Sequence, residues 1–132
     1  MNRLNPDYVL LEKFVNLPDL LARVENDREL LAELLLMLQE ELPRLQSALH
    51  HALDVADLPS AAFAAHALKG LLANMSMEKG ASLAATIETA SRAGDMSIIE
   101  DAGAAFELEM AGLSSAVNEF LSGEQNANSD CR

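Results

Sequence analysis

Seven of the eight leucines between residues 31 and 49 set the first constraint on this chain: Leu31, Leu34, Leu35, Leu38, Leu42, Leu45 and Leu49. Wound at the α-helical repeat they fall within about 100° of the circumference, the width of stripe that a bundle helix turns to its core. Asn26 and Asp27 supply a cap ahead of this stripe, and the helix is predicted to end near Asp54. Pro43 lies off the stripe, so it can kink the helix without leaving the core.

The rest of the chain reads in the same period. Tyr8 to Val15 reads as a first short helix after Pro6, and Pro18 and Asp19 begin a brief turn to Val24. Residues 59–75 make the next helix, residues 76–93 another ended by Gly94 and Asp95, and Met96 to about Leu121 the last. That last helix turns Ile99, Ala102, Phe106, Met110, Leu113, Val117 and Phe120 inward, and Gly103 and Gly112 are expected to permit close packing. Abundant Leu and Ala and the absence of Trp favour helix throughout. The prediction is an all-α protein: an antiparallel up-down four-helix bundle with one or two short extra N-terminal helices. Residues 1–16 are an N-terminal helical extension, 17–121 the bundle, and 122–132 a disordered polar tail.

Composition narrows the function classes. At 132 residues, half of them apolar, the chain has room for one core and one domain. No apolar run approaches the ~18 residues that span a bilayer, and the N-terminus lacks the apolar centre of a signal peptide. A lone Cys131 rules out an internal disulfide framework and fits a reducing cytoplasm. A net charge of −12 argues against nucleic acid or an anionic membrane as partner. No Glu-x-x-His pair, no zinc-like Cys/His spacing and no Gly-rich phosphate loop occur, so neither a metal nor ATP is expected. His50 and His51 end the long helix, where a cationic imidazole suits the negative end of the dipole.

The helix over residues 59–75 is different. Ala61, Ala64, Ala65, Leu68, Leu71, Leu72 and Met75 fill its core stripe within roughly a third of the circumference. His66 lies about 160° from the centre of that stripe, so it faces solvent. Its neighbours on that face are Ala62, Lys69, Gly70 and Ala73, where a solvated helix normally carries long charged side chains. Gly70 inside a helix costs on the order of 1 kcal/mol relative to Ala. An imidazole in a cleared face suits attack on a phosphoryl group held by another protein, with Lys69 one turn away to neutralise its oxygens. The plainer alternative is an ordinary surface histidine in an Ala-rich chain.

His66-Ala67-Leu68-Lys69-Gly70, followed by Asn74 and Met75, resembles the H-x-L-K-G signature of histidine-containing phosphotransfer (HPt) domains. The resemblance runs over roughly residues 17–121. It includes the preceding long helix, from Asp27-Arg28-Glu29-Leu30-Leu31 through Glu41-Leu42-Pro43 to Leu49. It also includes the following helix, Leu83 to Ile87 and then Ser91-Arg92-Ala93-Gly94-Asp95. Two departures stand out: Leu71 replaces a small residue after the motif glycine, and Ser76 replaces a common glycine. Leu71 falls on the core side, and Ser76 is expected to be the N-cap of the next helix.

What the resemblance implies is a phosphoryl carrier in a multistep phosphorelay, not an enzyme. His66 would be the phosphorylated nucleophile, moving the group between aspartates of response-regulator receiver domains, and Lys69 would stabilise the phosphoryl charge. Glu88, where the family often has a polar group near the imidazole, either orients the His66 ring through Nδ1 or is a solvated carboxylate. The docking face would include Ala62, Phe63, Gly70 and Ala73. Phe63 is either an apolar anchor for the partner or packed against the neighbouring helix. No cofactor is expected beyond Mg²⁺ brought by the receiver. Partners would be a receiver domain, a hybrid histidine kinase, or both, with the chain a cytoplasmic monomer. A bundle that binds such a partner without transferring phosphate is the alternative.

Overall fold

In the computed structural model, which describes residues 6–130 and the side chains of residues 8–123, the described chain is helical without strands. A short α1 (Pro6–Val9) runs into a 3₁₀ turn (Leu11–Lys13), followed by α2 (Leu17–Arg23). Four long helices follow: α3 (Arg28–Asp54), α4 (Leu58–Asn74), α5 (Glu78–Ala93) and α6 (Met96–Asp130). Neighbours joined by two- or three-residue connections pack side by side, α3 on α4, α4 on α5 and α5 on α6, and α6 returns to α3. Such short links force antiparallel neighbours, which makes the expected up-down bundle.

The local chemistry explains the boundaries. Asp27 caps α3 by accepting from the Leu30 N–H (3.0 Å), and Asp57 caps α4 by accepting from the Ser60 N–H (3.2 Å). Each long helix up to α5 then stops on one left-handed residue: Ala56 (φ 57°), Ser76 (φ 58°) and Gly94 (φ 72°). The next amide reaches back to a carbonyl in the last turn, as in Asp57 N–H to Ala52 (2.8 Å) and Met77 N–H to Leu72 (2.9 Å). Ser76 is therefore a helix terminator and not the expected N-cap, which is Met77. Its backbone adopts the conformation glycine favours, and its hydroxyl is tied by donation to Asp19 (2.6 Å).

The core is the one the leucine stripe required. Leu31, Leu35, Leu38, Leu42 and Leu49 are buried, Leu34 and Leu45 are partly so, and Pro43 is exposed within an uninterrupted α3. All seven expected inward residues of α6 are buried. The glycines of α6 part company: a Cβ on Gly112 would lie 2.5 Å from the Phe14 ring, whereas one on Gly103 would meet nothing within 4 Å. Of these two, Gly112 is the one that serves close packing.

Three further expectations need correction. The helix expected over residues 8–15 is split into α1 and a 3₁₀ turn, and Tyr8, Leu11 and Val15 are all buried. The polar stretch 122–130, expected as a disordered tail, continues α6 to Asp130. It contains no proline, and once a helix is nucleated each added residue contributes a further backbone bond. Residues 1–5 of the expected N-terminal extension, and Cys131 and Arg132 of the tail, lie outside the described residues. Finally, His50 lies one position short of the last turn of α3. Its Nε2 lies 2.6 Å from Glu107 Oε2 on α6, so a carboxylate and not the dipole is its partner, while His51 occupies the last turn.

Candidate functional site

The bundle fixes the surroundings of His66 by burying the opposite side of α4. Ala61, Ala64, Ala65, Leu68, Leu72 and Met75 are buried, and His66 emerges with its side chain 61 % exposed. Gly70 and Ala73 are exposed beside it, and a Cβ at Gly70 would touch nothing within 4 Å. Phe63 is 77 % exposed, so it does not pack against the neighbouring helix. Ala62 departs from the expectation of a docking-face residue, being only 2 % exposed. It lines a surface hollow together with Ser91 and Arg92 near the end of α5, the helix packed beside α4.

α5 supplies the second half of the site. Ala84, Ile87, Glu88 and Ser91 share the inner face of α5, spaced three and four apart, and all are buried. A carboxylate in that position must find partners, because an unpaired buried charge is costly. Glu88 finds three. Its Oε2 lies 3.1 Å from His66 Nδ1 and 3.0 Å from Arg92 Nη2, and its Oε1 lies 3.2 Å from Lys69 Nζ. The Glu88 side chain is only 11 % exposed while its partners stand at the surface.

This arrangement has electrostatic consequences. The hydrogen bond from Arg92 is the largest influence on Glu88, with those from Lys69 and His66 adding to it. Together they outweigh partial burial and hold its carboxyl down to about 2. Glu88 is therefore an anion at any ordinary pH and can only accept. The proton of a neutral His66 then belongs on Nδ1, and the lone pair is left on Nε2, which has no hydrogen-bond partner among the described residues.

Of the residues singled out from the sequence, His66, Lys69 and Glu88 come together in one cluster. Phe63, Gly70 and Ala73 surround it at the surface, and Ala62 lies beneath. Lys69 points at Glu88, whereas the sequence prediction assigned it only to incoming phosphoryl oxygens. Arg92 had no place in the predicted site. Its signal is the four-residue spacing from Glu88, which suits an ion pair on one helix, and the inward register of Glu88 itself. The described residues contain no group of His, Cys, Asp and Glu arranged to hold a metal ion, and no helix among them is long and apolar enough to cross a membrane.

Comparison with curated proteins and with solved structures gives no match for this chain. The family model for the Hpt domain matches residues 29–116, from the first turn of α3 well into α6 and across the whole His66 cluster. The chain belongs to the Hpt domain family, the histidine phosphotransfer modules of two-component signalling.

Proposed function

We propose that His66 is the phosphoryl-carrying residue and that this chain relays the group between receiver-domain aspartates in a multistep phosphorelay. The family gives the frame: Hpt domains are phosphocarrier modules that work with receiver domains and kinases and are not catalysts by themselves. The observation that carries the assignment to His66 is the pairing of its Nδ1 with an ionised carboxylate on an otherwise exposed ring.

The reaction follows from that pairing. The Nε2 lone pair attacks the phosphorus of an aspartyl phosphate on a receiver. The P–O bond breaks, and its electron pair leaves with the donor carboxylate. Nδ1 keeps its proton, and the positive charge gained by the ring lies against Glu88. Transfer to a second receiver reverses these steps, with an aspartate oxygen attacking phosphorus and Nε2 recovering its lone pair. Mg²⁺ and the acidic pocket around it belong to the receiver, so this chain brings the nucleophile and a docking face. Lys69 has the length and charge to contact the phosphoryl oxygens on Nε2. Phe63, Gly70 and Ala73 form the apolar approach, with Ala62 packed below. The reading is of a monomeric cytoplasmic carrier.

Incubation with a phosphorylated receiver and Mg²⁺ tests the assignment. An acid-labile, base-stable label should appear on the parent protein and vanish in His66→Gln. That variant should keep its helicity and melting temperature, since an exposed side chain contributes little to stability. A label retained in His66→Gln would overturn the assignment.

A further inference from the structure

The three donors on Glu88 are not equivalent. Lys69 holds Oε1 alone, from α4, one turn along from His66. Arg92 and the His66 ring share Oε2, with Arg92 reaching it from one turn along α5. Departure of Lys69 therefore leaves the hydrogen bond from Nδ1 and its neighbouring guanidinium in place, whereas departure of Arg92 disturbs the very oxygen that orients the imidazole. The two cations also differ in kind. An ammonium on a four-carbon stem is a mobile point charge, while a guanidinium docked on a carboxylate is a planar group that keeps its geometry.

We propose that Arg92 is a positioning residue that keeps Glu88 neutralised and aimed at Nδ1, so that Lys69 is free to exchange Glu88 for the phosphoryl group on Nε2. The proposal rests on His66 being the carrier. Phosphorylation brings new negative charge to the solvent side of the ring, and without a second cation the move of Lys69 would leave Glu88 as a poorly solvated anion beside it. Arg92 removes that obstacle. It touches neither Nε2 nor the phosphoryl group and acts through Glu88.

Two measurements on Arg92→Gln, Arg92→Lys and Lys69→Gln test this. The first is the ¹⁵N spectrum of the unphosphorylated His66 ring, which reports how much of the neutral imidazole carries its proton on Nδ1. The second is the rate of phosphorylation by phosphoramidate, a small donor that needs no docking, together with the lifetime of the product. Arg92→Gln should shift the ring populations away from the Nδ1–H form and slow phosphorylation by about tenfold, and Arg92→Lys should restore most of both. Lys69→Gln should leave the ring populations as in the parent and shorten the lifetime of the phosphorylated state. Unchanged ring populations in Arg92→Gln would overturn the positioning role. If that variant instead shortened the product's lifetime with the ring unaltered, Arg92 would be a direct phosphoryl ligand and the division of labour would be wrong. Failure of the parent to label on His66 would end the carrier reading and the exchange by Lys69 together, while the ring populations would still judge Arg92.

Discussion

Glu88 answers to three donors with a single negative charge, and its titration makes that visible at the scale of one residue. Its folded carboxyl is held to about 2, mainly by Arg92 and then by Lys69 and His66, against an ordinary value of 4.5. A depressed carboxyl stabilises the fold at pH values above its unfolded value, and that contribution is lost as pH falls through the folded one. The melting temperature of the parent should therefore drop across the window from about 4.5 down to 2, and Glu88→Gln should flatten that part of the profile. Equal slopes in the two proteins would mean the cluster is not closed in solution. Gly70 offers a second residue-scale test. A side chain there meets open space, so Gly70→Leu should leave stability unchanged or raise it by up to about 1 kcal/mol. Transfer from a receiver should fall sharply, while labelling by a small phosphoryl donor persists. Loss of both labels would mean that the leucine damages the cluster itself and does not merely block docking.

Among the elements, α6 shows how context sets the sign of one substitution. Gly103 and Gly112 carry the same propensity penalty on the same helix, but the Phe14 ring fills the space over only one of them. Gly103→Ala should stabilise by roughly 0.5–1 kcal/mol because nothing opposes the gain in helix propensity. Gly112→Ala should destabilise by about 1–3 kcal/mol, since Phe14 must leave its seat. Opposite shifts in the denaturation midpoints of the two variants are the expected result; a common sign would remove Phe14 from the account.

At the scale of the whole molecule, residues 8–24 share one hydrophobic core with the bundle. Leu11, Val15, Leu17, Leu20 and Val24 are buried in the common core. Polar links tie α2 to the α4–α5 connection: Asn16 N–H to Ser76 O (2.8 Å), Ser76 Oγ to Asp19 (2.6 Å) and Arg23 to Asn74 O (3.3 Å). At the other side Arg28 lies 5.2 Å from the centre of the Tyr8 ring and 5.1 Å from that of Phe120, joining α1, α3 and α6. Leu20 precedes the stretch that matches the family model, yet Leu20→Ala should cost about 2–5 kcal/mol and shift a single unfolding transition, as a core leucine of the bundle would. A loss well under 1 kcal/mol, or a separate early transition, would make α2 an accessory layer.

Periodicity determined the four long helices, their core stripes and the exposure of His66, because each depends on side chains three and four residues apart on one helix. The His-x-x-Lys-Gly spacing likewise pointed to the carrier site, being local to α4. What only the tertiary structure decided lies between helices. Ala62 is buried beside the end of α5, a neighbour no helical wheel contains. His50 meets Glu107 across 57 positions of chain. Ser76 ends α4 in a left-handed conformation and gives its hydroxyl to Asp19, where its residue type alone suggested a cap. Above all, the sequence offered His66 as a partner of Glu88 only as one of two alternatives, and it did not show the full set of three partners. Two of them, His66 and Lys69, come from α4, and the packing angle and register of two helices decide which polar groups share one carboxylate.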